Sequence, residues 1–342
     1  MKQFGVGIVG TGWVSGEHVR AFEANPHTKV LALCGRTTES ARPKAMECGI
    51  ECAIFDDYAK MLKHPGIDII SIATPPNLHR DEAVAAARAG KHLMLEKAMG
   101  VTLEDIRAIR DAVRDARVKS VVSFVLRWNP LFDIIKRQLA AGALGNVFYG
   151  EVDYFHGIGP WYGQYHWNIK KDVGGSSLLS AGCHALDALR WFMGGEVAEV
   201  TQYATSGKGK DFAAYEYAPT TVTILRFADG RIGKVASCIE CIQPYVFGIN
   251  LVGTEGTIRN NKIFSKTQFP GQTNWAEVPT IMPDSGDVTH HPFKGEVNHL
   301  VECILNNVES HVNIADAYKT HEIVLAADKS GIERKPIALP LA

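Results

Sequence analysis

Three groups of residues in this sequence have types and spacings that could do chemistry. The first is Gly10-x-Gly12-x-x-Ser15, which ends an apolar run beginning at Phe4 and opens a helical pattern. Gly10 allows a tight turn, and Gly12 lets backbone approach a pyrophosphate. Ser15, small in place of a third glycine, lets helix and strand pack closely. The new helix would offer unbonded N–H groups and its positive end to phosphates, with Thr11, Trp13 and Val14 around them. The chemistry implied is dinucleotide binding.

The second group follows two later strand-like runs. Thr74-Pro75-Pro76-Asn77-Leu78-His79 is a stiff loop that could lie along the nicotinamide side of a dinucleotide. A short apolar run then ends in Glu96-Lys97. A lysine at the carboxyl end of a parallel strand points into the ligand crevice; the other reading is a solvated charge pair. The third group opens a helix at Gly174-Gly175. Ser180, His184 and Asp187 follow at i, i+4 and i+7, on one face. A neutral imidazole there could take a proton from a substrate hydroxyl. Asp187 could orient it or make a separate structural contact, and a buried core histidine is the alternative for the whole face.

Between the last two groups, residues 156–171 are dense in aromatic and polar groups suited to a sugar, whose C–H faces stack on rings. Trp161, Tyr165, His166, Trp167 and Lys170 or Lys171 are the candidates, with Arg127 and Asn129 from an earlier loop. A surface loop packed on a partner subunit is the competing reading.

The elements that must position these groups fall into two halves. Up to about residue 125, strands at 5–10, 29–34, 67–73, 92–95 and 120–125 alternate with amphipathic helices, as in a parallel doubly wound sheet. Thr102 with Asp105 caps one helix, and Gly90 ends another. From 126 to 342 the expected unit is a substrate-binding α/β domain with a large, mostly antiparallel open sheet. Its strands lie at 147–155, 197–204, 220–227, 231–238 and 247–253, and Ala228-Asp229-Gly230 makes a hairpin turn. Helices at 177–193, 293–307 and 316–329 would cover one face, leaving the other for a partner subunit.

Length and composition agree. At 342 residues the chain is long for one core, so two domains are expected. With 36 basic and 37 acidic residues and no basic tract, nothing points to nucleic acid or an anionic membrane. No apolar run approaches the roughly 20 residues that span a bilayer. The first strand begins almost at once, so a cytoplasmic location is expected. Seven scattered cysteines fit reduced thiols. Cys238-x-x-Cys241 lacks a second ligand pair, so no metal is expected and both read as packing residues on opposite faces of a strand.

In order along the chain, these residues resemble the Gfo/Idh/MocA family of oxidoreductases. The likeness runs through the Gly10/Gly12 turn, Pro75–His79, Gly90-Lys91-His92 with Glu96-Lys97, Arg127-x-x-Pro130, Gly182-x-His184-x-x-Asp187 and the helix end at Ala326–Gly331. The resemblance implies a Rossmann domain, an open sheet used in homodimer or homotetramer contacts, and hydride transfer between NAD(P) and a sugar or cyclitol. It matches Lys97 to the lysine that hydrogen-bonds the reacting oxygen and His184 to the acid/base. Glu96 would serve near the nicotinamide end. A variant of the chemistry holds NAD(H) tightly and uses transient oxidation for sugar elimination or glycosidic cleavage. A non-catalytic sensor is the other alternative.

Three departures from the family pattern stand out. Ala98 replaces a proline after Lys97. Ser180 replaces a frequent Asp, and a hydroxyl cannot act as a carboxylate base near neutral pH. At the end of the second strand, Cys34-Gly35-Arg36-Thr37-Thr38 lacks the acid that holds a ribose 2′-OH. Arg36 and the Thr37 hydroxyl could instead contact a 2′-phosphate, which favours NADP over NAD.

Overall fold

Apolar runs bounded by glycines and capping residues become the elements of the computed structural model, which describes residues 3–284 and 288–342. In chain order they begin β1 (Phe4–Val9), α1 (Ser15–Glu23), β2 (Thr28–Cys34), α2 (Thr38–Glu47), β3 (Ala53–Phe55), α3 (Tyr58–Leu62) and β4 (Ile67–Ile72). There follow α4 (His79–Arg88), β5 (His92–Leu95), α5 (Leu103–Ala116), β6 (Ser120–Val122), α6 (Pro130–Ala140) and β7 (Val147–Phe155). Next come α7 (Tyr165–Asn168), α8 (Lys171–Gly174), α9 (Cys183–Met193), β8 (Val197–Thr205), β9 (Thr220–Phe227) and β10 (Ile232–Cys238). The chain continues with β11 (Val246–Gly253), β12 (Gly256–Arg259), β13 (Lys262–Ser265), β14 (Ala276–Glu277), α10 (Phe293–Asn306), α11 (Ile314–Glu333) and β15 (Ile337–Ala338).

Two compact units form. The first holds residues 1–125 and 292–319, the second 126–291 and 320–342. The segment 292–319, expected in the second domain, therefore belongs to the first unit. The reason lies in the buried stripe of α10. Phe293, Val297, Leu300 and Val301 are buried, and the Phe293 ring lies 5.0 Å from that of His18 on α1. Hydrogen bonds fix the return: Val122 N–H donates to Val312 O at 3.0 Å, and Ile314 N–H to Ser120 Oγ at 3.1 Å.

The sheet of the first unit is parallel, in the order β3-β2-β1-β4-β5-β6. A parallel sheet is covered on both faces, so its strands read as continuous apolar runs; all six residues of β1 are buried. Strand order reverses beside β1, which opens a crevice beyond the carboxyl ends of β1 and β4. α5 carries the expected cap: Thr102 Oγ1 accepts from Asp105 N–H at 3.1 Å, and Asp105 accepts from Thr102 N–H at 3.0 Å.

In the second unit the sheet runs β14-β13-β12-β11-β7-β10-β9-β8-β15. Only β7 and β10 pair in parallel among the described strands; the other neighbours are antiparallel. α9 covers one face at β7 and β10. Its approach is close, since a Cβ on Gly150 would lie 2.4 Å from Met193 Sδ. The opposite face shows Tyr203, Val222, Ile224 and Ile232 exposed. Lys234 Nζ bridges Glu151 and Asp153 there, 2.7 Å from each.

Candidate active site

Beyond β1 the chain makes the tight turn that the glycines predict. Gly10 lies at φ +99°, and a Cβ there would meet Ala73 O at 2.5 Å. A Cβ on Gly12 would meet nothing within 4 Å, so its backbone faces open space of the kind a pyrophosphate fills. Ser15 Oγ donates to Gly12 O at 2.7 Å and locks the turn to α1. No side chain caps α1, leaving its first N–H groups for an anion. Thr11 and Val14 are half-buried on this turn and Trp13 is exposed. These residues fit a dinucleotide.

At the end of β2, Gly35 sits in close quarters. A Cβ on Gly35 would lie 2.4 Å from Ser40 Oγ and 3.0 Å from Thr37 O. Arg36 is exposed, with no ion pair among the described residues. Thr37, expected to face a 2′-phosphate, is the N-cap of α2, and its Oγ1 accepts from Ser40 N–H at 3.2 Å. Its local role is therefore already assigned.

The loop after β4 is held from behind. Thr74 Oγ1 donates to the Glu82 carboxylate, and burial pushes Glu82 up to about 7. Pro75 is half-buried and Asn77 exposed. His79, expected to touch the cofactor, is instead fully buried, with Nδ1 2.7 Å from Ala98 O and Nε2 2.8 Å from Thr74 O. It clamps the loops after β4 and β5 together.

Glu96 and Lys97 leave the end of β5. Glu96 is buried; Oε1 lies 3.1 Å from His18 Nε2, and Oε2 accepts from Lys97 N–H at 3.2 Å. His18 Nδ1 meets Ser71 Oγ at 2.7 Å. Burial pushes Glu96 up, but His18, Lys97 and His79 outweigh it and hold the carboxylate below its usual range. The next peptide, Lys97–Ala98, is cis, and Lys97 is half-buried. α10 brings the buried Glu296 here; burial first, then the Glu96 charge, pushes its carboxyl well above the usual range. His18 escapes the sequence reading because its partners lie 53 and 78 residues away. The available signal is its place three residues after Ser15, on the buried face of α1.

In the second unit, the helix expected over 177–193 begins as a π-helical turn at Leu178–Gly182 and becomes α9 at Cys183. Such turns recur at functional sites. Gly182 sits where a Cβ would be 2.6 Å from Ser237 Cβ. Ser180, half-buried, hydrogen-bonds with Tyr217, whose hydroxyl also donates to Asn168 O at 2.6 Å. His184 is buried in the first turn of α9.

Arg127 and Asp187, expected to touch substrate, are instead paired with each other. Arg127 Nε donates to Asp187 Oδ2 at 2.7 Å and Nη2 to Oδ1 at 2.6 Å; the side chains are 1% and 2% exposed. Thr320 Oγ1 donates to Asp187 Oδ1 at 3.1 Å, and Arg190 Nη1 to Thr320 Oγ1 at 2.7 Å. This engages both carboxylate oxygens and ties α9 to the turn before α6 and to α11. Asn129 is likewise used locally, its Oδ1 accepting from Leu131 N–H at 2.9 Å as the cap of α6.

The aromatic loop keeps more open groups. Trp161 is 65% exposed and meets Phe212 edge-on, with centroids 6.0 Å apart. Tyr165 donates to Asp211 O at 2.9 Å, His166 is exposed, and Trp167 is half-buried. Lys171 is exposed, whereas Lys170 Nζ is paired with Glu216 at 2.8 Å. No group of three His, Cys, Asp or Glu residues among the described residues could hold a metal ion. No helix among them is long and apolar enough to cross a membrane.

Residues 4–124 match the oxidoreductase family with an NAD-binding Rossmann fold, and residues 132–259 the GFO/IDH/MocA C-terminal domain. The chain is 25% identical to scyllo-inositol 2-dehydrogenase (NAD(+)) of Bacillus subtilis (strain 168), over 97% of this chain and 95% of that one. It is 28% identical to D-apiose dehydrogenase of Paraburkholderia graminis, over 99% and 90%. The fold superposes on a levoglucosan dehydrogenase solved in complex with NADH, with a TM-score of 0.89, 22% identity and full coverage of both chains. With both of its domains matched in order, the chain belongs to the Gfo/Idh/MocA family of oxidoreductases.

Proposed function

We propose that this oxidoreductase moves a hydride between a nicotinamide dinucleotide and a secondary alcohol or ketone of a sugar or cyclitol. The observation that carries the reading is the glycine turn. Gly10 is held left-handed against Ala73 O, with open space at Gly12 and an uncapped α1 behind it. Bound there, the dinucleotide supplies the hydride chemistry. The protein's task is to orient the substrate carbon and manage one proton.

Lys97 donates a hydrogen bond to the reacting oxygen and stabilises negative charge developing on it. His184 takes the hydroxyl proton in oxidation and returns it in reduction. Ser180 positions groups on the same helical face, without a carboxylate's basicity. Trp161, Tyr165, His166, Trp167 and Lys171 supply stacking and polar contacts to a polyol. Arg127 and Asp187 shape the unit that presents α9. For the cofactor, exposed Arg36 beside the side-chain-free Gly35 favours NADP, with NAD as the alternative. The open face of the second sheet, with Val222, Ile224 and Ile232 exposed, is the surface for a homodimer or homotetramer.

Absorbance at the reduced-nicotinamide band tests this, with NADP and NAD in parallel across sugars and cyclitols that include scyllo-inositol, D-apiose and levoglucosan. Turnover with one compound is expected. Silence across the panel with dinucleotide bound would move the assignment to a retained-NAD(H) lyase or a sensor.

A further inference from the structure

Cys238 and Cys241 do not sit as a strand would place them. β10 ends at Cys238, and the chain bends at 239–240. Cys241 therefore folds back, its thiol donating to Cys238 O at 3.7 Å, which holds it against the end of β10. Cys238 Sγ lies 3.2 Å from the Thr220 hydroxyl and receives the Glu240 backbone N–H. Thr220 also reaches Glu240 Oε1 at 2.8 Å. Cys238 is buried at the strand end; Cys241 is half-exposed.

We propose that Cys238 and Cys241 form a thiol-oxidation site that a hydroperoxide closes to an intramolecular disulfide. The Cys238 thiolate attacks one peroxide oxygen, breaking the O–O bond; it becomes a sulfenic acid, and the peroxide leaves as an alcohol or water. The Cys241 sulfur then attacks the Cys238 sulfur, its proton leaves with the hydroxide as water, and the S–S bond forms. Two thiols are oxidised and one peroxide is reduced.

The other five cysteines make the site selective. Burial pushes Cys34 up to about 11 and raises Cys48, Cys52 and Cys303, and Cys183 is fully buried. At Cys238 the order reverses: the neighbouring Cys241 thiol, with the Glu240 N–H, outweighs burial and the charge of the Glu240 carboxylate and brings the thiol to about 6.

Closure reaches the aromatic loop through backbone. His156 N–H donates to Cys238 O, and Ile158 N–H to Ile239 O, each at 2.9 Å. A Cβ on Gly157 would lie 2.4 Å from Cys241 O. The bend that the disulfide staples is the one that anchors residues 156–158. An effect on substrate KM rests on the proposed role of that loop; disulfide mapping, sulfenic-acid trapping and amide exchange do not.

The test treats the native full-length enzyme with limiting hydrogen peroxide. Remaining thiols are blocked with N-ethylmaleimide, and the protein is read by intact mass and peptide mapping. The expected result is one reversible disulfide linking 238 and 241, formed about tenfold faster than oxidation at any other cysteine. In Cys241→Ser, dimedone should trap a sulfenic acid at Cys238; in Cys238→Ser, no disulfide should form. Amide exchange at 156 and 158 should slow in the oxidised protein. Oxidation of another cysteine first, or loss of all seven thiols at one rate, overturns the proposal. A disulfide that leaves exchange at 156 and 158 unchanged overturns its coupling to the loop.

Discussion

Replacing Asp187 with Asn decides whether the Arg127–Asp187 pair is structural or binds substrate. The change keeps side-chain volume but leaves the Arg127 guanidinium buried, 1% exposed, without its charge partner. Removing one member of a buried pair costs about 3–5 kcal/mol, most of it from the stranded charge. Two short bonds from Arg127 and a third from Thr320 converge on this carboxylate, which puts the expected loss toward the upper part of that range. For a unit of this size, each kcal/mol lowers the melting temperature by about 2–4 °C. Thermal unfolding of Asp187→Asn should therefore fall by roughly 8–16 °C. The double variant Arg127→Met/Asp187→Leu, which removes both charges, should recover most of the loss. Below the variant's melting temperature, substrate KM should change less than about threefold. Unaltered melting with KM raised tenfold or more would refute the structural assignment and return both residues to the substrate.

Lys97→Ala should lower kcat by about 10²–10³, the usual loss on removing one donor to a developing oxyanion, while dinucleotide affinity by fluorescence titration holds; loss of binding instead would make Lys97 a cofactor contact. Arg36→Ala should cut kcat/KM with NADP by about 10–100-fold, the worth of one charge-assisted hydrogen bond, and leave NAD nearly unaffected; equal losses with both cofactors would remove Arg36 from 2′-phosphate recognition. Glu82, raised from 4.5 to about 7 by burial, keeps its proton in the folded chain where the unfolded chain has lost it. Its share of stability should therefore fall as pH rises from about 4.5 to 7; buried Glu296 and Asp328 act in the same direction, so Glu82→Gln should lessen the slope, a gain of about 1–3 kcal/mol at pH 8. Urea melts at pH 5 and pH 8 with the same slope in both proteins would show that Glu82 is not among the groups responsible.

Features set by neighbours in the chain were legible in the sequence. The Gly10 turn, the Thr102–Asp105 cap and the hairpin at 228–230 each arise from a few consecutive residues, and the predicted limits of β7 and β9 match the structure. Features set by distant partners were not. The stripe on α10 shows that it is buried without showing against what, so its return to the first unit has no signal in the sequence. Asp187 and Arg127 lie 60 residues apart, and a same-face spacing cannot say that one carboxylate is already satisfied. His79 looked available because two prolines and an Asn precede it, but it is clamped between two carbonyls. Short elements without an apolar stripe, β3 and β12 to β14, left no pattern to read. Pro43 lies inside α2, and the helix capped by Thr37 runs through it.

The return of residues 292–319 to the first unit also bears on how the chain is made. On the ribosome the parallel sheet emerges first, but the segment that bonds to β6 and covers α1 follows only after nearly all of the second unit. At about 5–20 residues per second this is a wait of roughly ten to thirty seconds. Throughout it, the faces later covered by Phe293, Val297 and Leu300 stay open to solvent and to chaperones. A fragment ending near residue 125 would stay in that incomplete state, and a stop codon before residue 292 would damage the half of the protein already synthesised.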